Sequence, residues 1–245
     1  CYIGTDAFLL KLRGTQPPVF RSLFPIKDLD LLGDRLLVCT SYDALLMKAG
    51  DMKVTDTLIH QRTTCGAFWN GYFYLGTIGG LIRVSLPGKK VERLYETFLP
   101  FRSRIVALRR GFSNDLWVAT SGAGLVHITP DNRYEVITEK QGLTSDICTS
   151  LFIEDNNQVW LGTNKGLNKI RQRQDTVDVS RFTVGNGLGA DFISSVLVTD
   201  STVYAGTPVG LTRFQKDHTT EPSICVLQIL GVQQNGRQLP VDTVF

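Results

Sequence analysis

Apolar residues come along this chain in short bursts broken by polar turns, and one five-residue burst returns six times. The copies are Cys1-Tyr2-Ile3-Gly4-Thr5, Leu36-Leu37-Val38-Cys39-Thr40, Phe73-Tyr74-Leu75-Gly76-Thr77, Leu116-Trp117-Val118-Ala119-Thr120, Val159-Trp160-Leu161-Gly162-Thr163 and Val203-Tyr204-Ala205-Gly206-Thr207. Their threonines follow one another by 35, 37, 43, 43 and 44 residues. Repetition in that range marks an array of supersecondary units. Five residues rich in aromatic and β-branched types between polar turns read as a short strand. Apolar side chains on both alternating faces predict a strand covered on both sides.

Each slot of the cassette carries its own expectation. Three residues before Thr, a large ring stands in five copies (Tyr2, Tyr74, Trp117, Trp160 and Tyr204), with Leu37 in the other. The ring reads as apolar filler between adjacent sheets, worth about 2–3 kcal/mol when buried; a ligand-stacking platform is the alternative. The residue before Thr is always small (Gly4, Cys39, Gly76, Ala119, Gly162, Gly206), so a neighbouring sheet is expected to pass close there. After Thr, a turn leads into a return strand at Gly80-Leu81, Gly124-Leu125, Gly166-Leu167 and Gly210-Leu211, with Gly supplying the positive φ of a tight hairpin. Asp6-Ala7 and Asp43-Ala44 stand in that region of the first two copies and predict looser hairpins. Two residues beyond each Leu comes a basic group: Lys11, Lys48, Arg83, His127, Lys169 or Arg213. A solvated blade edge that resists strand-to-strand association accounts for these, with a cationic ring for an anion as the alternative.

Between the cassettes the pattern supplies further short strands. Four complete units run over 26–59, 63–95, 104–138 and 147–183, with partial units at 1–22 and 192–215. Four short strands per ~43 residues, with no helical periodicity, predict an all-β fold of β-propeller blades. The expectation is four complete four-stranded blades plus partial blades at both ends, whose open faces pair with another copy or with upstream sequence. From Glu221 an extended stretch and a turn at Asn235-Gly236 read as the first strands of an Ig-like β-sandwich. The domains are then 1–220, the C-terminal part of a propeller, and 221–245, the start of a second domain. Beginning inside a cassette at Cys1 reads as a piece of a longer chain.

Composition adds bounds. The 245 residues are 42% apolar and 20% charged, with net charge +3 and no basic run, so nucleic acid is not indicated as a partner. No apolar run reaches the ~18 residues of a membrane span. Five cysteines without Cys-x-x-Cys spacing argue against a disulfide framework, and Cys39 reads as a small hydrophobe.

Candidate chemistry is sparse. His60, His127 and His218 share no metal-ligand spacing, and no nucleophile elbow or phosphate-cradling loop occurs. No catalytic residue, metal or cofactor is therefore expected. Asp155-Asn156-Asn157 lacks the Gly and the distant Glu of a calcium loop and reads as a hairpin turn. Ligand contacts are expected on the loops from each fourth strand to the next first and from second to third, which share one end of a propeller. The candidates there are Arg102, Arg104, Asp146, Asn164, Lys165 and Asp191.

The segments Gly142-Leu143-Thr144-Ser145-Asp146-Ile147, Asp155-Asn156-Asn157-Gln158-Val159-Trp160-Leu161-Gly162-Thr163 and Lys165-Gly166-Leu167 resemble the two-component-regulator propeller repeat. Its usual form is a Gly-Leu-x-Ser-Asn loop, an inner strand, an Asp-x-x-Gly turn and a Trp-Ile-Gly-Thr strand. Asp146 and Gln158 stand where that form has Asn and Gly. The stretch from Pro222 to Leu239 resembles the start of the Ig-like Y_Y_Y domain that follows such propellers. Together they resemble the periplasmic sensor region of hybrid two-component histidine kinases or their one-component relatives. The resemblance implies a non-enzymatic sensing and relay segment, an oligosaccharide ligand and a homodimer. It implies the periplasmic part of an inner-membrane protein, attached to the membrane only through other segments, with kinase activity in cytoplasmic domains. It transfers no ligand residue by motif. One rival reading is a purely structural or dimerisation propeller. The other is a propeller lyase or glycosidase, which needs a His or paired acids converging at the ring's centre.

Overall fold

The computed structural model describes residues 1–12, 19–22, 24–86, 88–155, 158–172, 176–216, 232–234 and 237–239. Within them the chain is a succession of antiparallel sheets. The first holds β1 (Tyr2–Gly4), β2 (Phe8–Lys11) and β3 (Val19–Arg21). The second holds β4 (Ile26–Leu32), β5 (Arg35–Thr40), β6 (Ala44–Lys48) and β7 (Val54–Ile59). The third holds β8 (Cys65–Trp69), β9 (Tyr72–Thr77), β10 (Gly80–Ser85) and β11 (Val91–Arg93). The fourth is β12 (Ile105–Arg110), β13 (Leu116–Thr120), β14 (Leu125–Ile128) and β15 (Tyr134–Ile137). The fifth is β16 (Cys148–Ile153), β17 (Gln158–Thr163), β18 (Gly166–Gln172) and β19 (Val177–Phe182). The sixth is β20 (Ser195–Val198), β21 (Thr202–Thr207) and β22 (Gly210–Gln215). Each is a meander, and β4, β8, β12, β16 and β20 pack against one another in turn as the inner strands of propeller blades. β23 (Val232–Gln234) and β24 (Arg237–Leu239) pair antiparallel, with Gln234 opposite Arg237; the expected turn at Asn235-Gly236 lies outside the described residues. The expected strand over 222–231 lies outside the described residues.

Why both faces of the cassette are apolar is visible in the clusters they join. From β5, Leu36 and Val38 pack with Leu9 of the preceding sheet, while Leu37 and Cys39 pack with Phe73 and Leu75 of the next. The same division repeats along the array, so each strand supplies two seams. Trp160 is wholly buried against Phe182, Ile193 and Val203, which makes the cassette ring core filler. The small slot is equally literal. A Cβ on Gly76 would lie 2.8 Å from the Cβ of Ile105 on the next inner strand, and one on Gly162 would lie 2.8 Å from Ile193 Cγ2. Where Cys39 takes the slot, the facing residue is Gly66, and a Cβ there would meet Cys39 Sγ at 2.7 Å.

The terminal threonine has a mechanical role. In all six copies its hydroxyl donates to the carbonyl three or four residues on: Phe8, Asp43, Gly80, Gly124, Gly166 and Gly210, at 2.7–3.1 Å. The first two hairpins are therefore closed like the rest, against the expectation of looser ones. Thr40 even adds a 2.6 Å bond to the Asp43 carboxylate.

Five of the six basic residues also depart from a solvated edge, while Lys48 stays exposed. Each cassette ring has one as its cross-strand partner: Tyr2 with Lys11, Tyr74 with Arg83, Trp117 with His127, Trp160 with Lys169 and Tyr204 with Arg213. Lys11 and Lys169 lie over their rings at 5.8 and 5.3 Å. His127 is stacked on Trp117 at 4.1 Å and is only 5% exposed. Facing a ring across the ladder lets the aliphatic stem cover apolar surface while the charge sits on the ring's negative face.

Four short 3-10 turns precede inner strands, a feature no helical periodicity announces. Those at Glu139–Gln141 and Val184–Asn186 end on Gly142 and Gly187 at φ 109° and 108°.

Candidate functional site

In a four-stranded meander the second-to-third turns and the fourth-to-first connections fall at one end of the blades. All six candidates lie at that end, and the structure gives them unequal work. Asp146 Oδ1 accepts the Glu139 amide at 2.8 Å, and Asp191 Oδ1 accepts the Val184 amide at 2.7 Å. Both aspartates thus cap the 3-10 turn seven residues upstream, and the Asp146 carbonyl also takes the amides of Gly122 and Gly124 on the preceding blade. Their engaged oxygens serve the loop's own shape. Arg102 donates from Nε to the Tyr95 carbonyl at 3.1 Å and is exposed, as are Arg104 and Lys165. Asn164 is half-buried, and its side-chain oxygen has no hydrogen-bond partner among the described residues. The loop between blades is pinned from beneath by Asn168, which is fully buried, accepts the Thr144 amide and donates to the Thr144 hydroxyl and the Leu161 carbonyl.

The same end carries a feature the sequence reading passed over. Phe24, just before β4, stacks on Tyr42 of the β5–β6 turn with centroids 4.5 Å apart and planes at 23°. His60, just after β7, stands 6.2 Å from Tyr42 at 53°. Tyr42 is 51% exposed although it belongs to a tight, threonine-closed hairpin. The equivalent turns hold Ile78-Gly79, Asn164-Lys165 and Pro208-Val209, so an aromatic residue in a hairpin turn was the available signal. Three rings from three consecutive connections form a ladder, and Arg62, two residues after His60, is exposed.

At the centre of the array the inner strands carry charge. Asp28 on β4 accepts the Gly66 amide at 3.2 Å and the Arg109 guanidinium at 3.3 Å. Asp30 accepts the Phe68 amide at 3.3 Å and Arg110 at 3.0 Å. Burial raises the Asp30 carboxyl above the ordinary value, and Arg110 offsets this only in part. These acids tie three successive inner strands together, and each already holds an arginine. Among the described residues no group of three or more His, Cys, Asp or Glu side chains is placed to hold a metal ion. Burial pushes the Cys65 and Cys148 thiols up to about 12, which leaves them unreactive packing groups.

No family model and no curated relative matches this chain. Solved structures do. The extracellular domain of BT3049, titled a hybrid two component system of B. thetaiotaomicron, superposes with TM-score 0.74 at 19% identity, over 98% of this chain and 37% of that one. The extracellular domain of BT4673, titled a one component system of the same organism, matches with TM-score 0.51 at 16% identity, over 87% of this chain and 36% of that one. The β-propeller domain of Cps50 (Swd1) from Myceliophteria thermophila matches with TM-score 0.63 at 16% identity, over 89% and 83%. At these identities the likeness establishes the β-propeller fold. The chain spans little over a third of the two extracellular domains it matches.

Proposed function

We propose that this chain is a ligand-sensing segment of an extracytoplasmic receptor region, and that it reads an oligosaccharide on the loop end of its blades. The observation that carries this is the Phe24–Tyr42 stack, with Tyr42 exposed and His60 beside it. A pyranose ring has a face of C–H groups that docks on an aromatic face, while its hydroxyls take directed bonds from planar guanidinium and amide groups. Arg62, Arg102, Arg104 and Asn164 supply such groups at the same end, and Lys165 adds an ammonium donor. Threonine-closed hairpins hold these loops rigid, so little ordering cost falls on binding. The likeness to extracellular domains of two-component and one-component systems supports a sensory role outside the cytoplasm, in an assembly attached to the membrane by other segments. Occupancy biases a two-state arrangement of a homodimer, and a following Ig-like domain passes the bias on, with no catalytic step in this segment. The central acids agree with this reading, since Asp28 and Asp30 are each engaged by arginine and backbone amide instead of facing a substrate.

The test is the melting temperature of the chain against a panel of neutral and acidic oligosaccharides. A ligand at about 100 times its dissociation constant stabilises by ~2.7 kcal/mol, a readable shift. One glycan class should raise the transition. If none does, the purely structural reading takes its place.

A further inference from the structure

At the end of the blades opposite the loop face, the seam between the β4–β7 and β8–β11 sheets opens into a cavity of about 370 Å³. Leu32, Phe68, Phe73 and Leu86 give it apolar walls, and the exposed Asp34 and Arg35 also line it. This seam also departs from the repeat. The other seams are each filled by a cassette ring backed by its cross-strand cation: Tyr2 with Lys11, Tyr74 with Arg83, Trp117 with His127 and Trp160 with Lys169. Here the slot holds Leu37, whose cross-strand partner is Leu46. Two pairs further along the ladder, Arg35 faces Lys48 directly, in the row that also carries Leu32.

Like charges placed opposite each other are unfavourable unless something between them is negative. Neither side chain has a hydrogen bond or ion pair among the described residues, and the Asp34 carboxylate leaves the balance at two cations to one acid. We infer that this seam binds a small aromatic carboxylate. Its ring lies between the apolar walls, stacking by Phe68 and Phe73, which themselves meet at 4.9 Å. Its carboxylate meets Arg35, which lines the cavity and whose cross-strand neighbour Lys48 adds to the positive field. The volume falls within the range of small-molecule pockets, whose apolar lining and few charged groups it shares.

The test is ligand-observed NMR on the chain with 3-phenylpropanoate and, as a matched neutral probe, 3-phenylpropanamide. A probe of this size should bind with a dissociation constant on the order of 1 mM, and the acid should bind about fivefold more tightly than the amide. Arg35→Gln should bring the acid down to the amide's affinity and leave the amide unchanged. Leu32→Trp, which fills the cavity from a half-buried position, should abolish both, whereas Tyr42→Ala at the far end should alter neither. Equal binding of acid and amide to the unaltered chain overturns the proposal without any variant. So does acid binding that survives both Arg35→Gln and Leu32→Trp, or no binding of the acid at about 20 mM, well above the expected constant.

Discussion

His127 presents Nε2 to Asp115 Oδ2 at 2.8 Å, in a site where the imidazole is 7% exposed and the carboxylate 5%. Its other nitrogen lies 3.0 Å from Glu135 Oε2, Trp117 Nε1 donates to the same Asp115 oxygen, and Gln172 of the next blade donates to Glu135. Two carboxylates facing one imidazole, over the indole it stacks on, lock β13, β14 and β15 to β18. Removing one partner of such a buried pair leaves the other charge uncompensated and costs about 3–5 kcal/mol. His127→Ala should therefore lower the melting temperature far more than Lys48→Ala, whose side chain is exposed. Equal losses in the two variants would show the cluster to be inert.

The same pair sets a pH dependence. Burial is the largest single influence and acts to raise the Asp115 carboxyl, but the hydrogen bond and charge of His127, together with the Trp117 hydrogen bond, outweigh it, and the group is held below the ordinary carboxylate value. A folded pKa below the unfolded one means stability that is complete above about pH 4 and is lost as pH falls through the folded value. Melting curves between pH 6 and pH 2 should show the unaltered chain losing stability that Asp115→Asn, already without it, does not lose. Parallel curves would contradict the assignment.

Thr163 joins two structures, donating to the Gly166 carbonyl at 2.9 Å and meeting the Thr144 hydroxyl at 2.8 Å. The same hydroxyl accepts the Lys165 amide at 3.1 Å, so Thr163→Val keeps the shape and deletes three bonds, at about 1–3 kcal/mol because the site is buried. Thr207→Val, at the more exposed last hairpin, should cost less. Denaturant midpoints of the two variants decide it.

Gly76→Ala should be destabilising although glycine in a strand is ordinarily a weakness. The added methyl would meet Cys65 Sγ at 2.5 Å and Ile105 Cβ at 2.8 Å, and overpacking of this kind costs about 1–3 kcal/mol. Ala at Gly50, where nothing lies within 4 Å of the new Cβ, serves as the comparison. A neutral Gly76→Ala in urea unfolding would mean the seams are looser than drawn.

How much of this was legible beforehand follows from what each feature depends on. Strands, blade order and the ring and small slots depend on a pattern repeated several times over, and repetition separates signal from accident. Leu37 stood out as the copy without a ring, yet only the register shows Arg35 opposite Lys48. In sequence Asp146 and Asp191 are simply polar loop residues. Their capping role needs the 3-10 turns at Glu139 and Val184, which are too short to leave a helical period. Lys11, His127 and Lys169 were read as edge charges because sequence does not say that the residue across the ladder is a ring. The Phe24, Tyr42 and His60 ladder joins positions far apart in the repeat, which only folding brings together.

The central claim is that the loop end of these blades takes a sugar on the Tyr42 platform. The most direct measurement is a calorimetric titration of the best-stabilising oligosaccharide into the unaltered chain, Tyr42→Ala, and a variant with Arg102, Arg104 and Lys165 all replaced by Gln. The account predicts at least tenfold weaker binding for Tyr42→Ala, matching ~1.4 kcal/mol of lost stacking, and a smaller loss for the triple variant. Binding of undiminished affinity to Tyr42→Ala, with its melting transition intact, would contradict it.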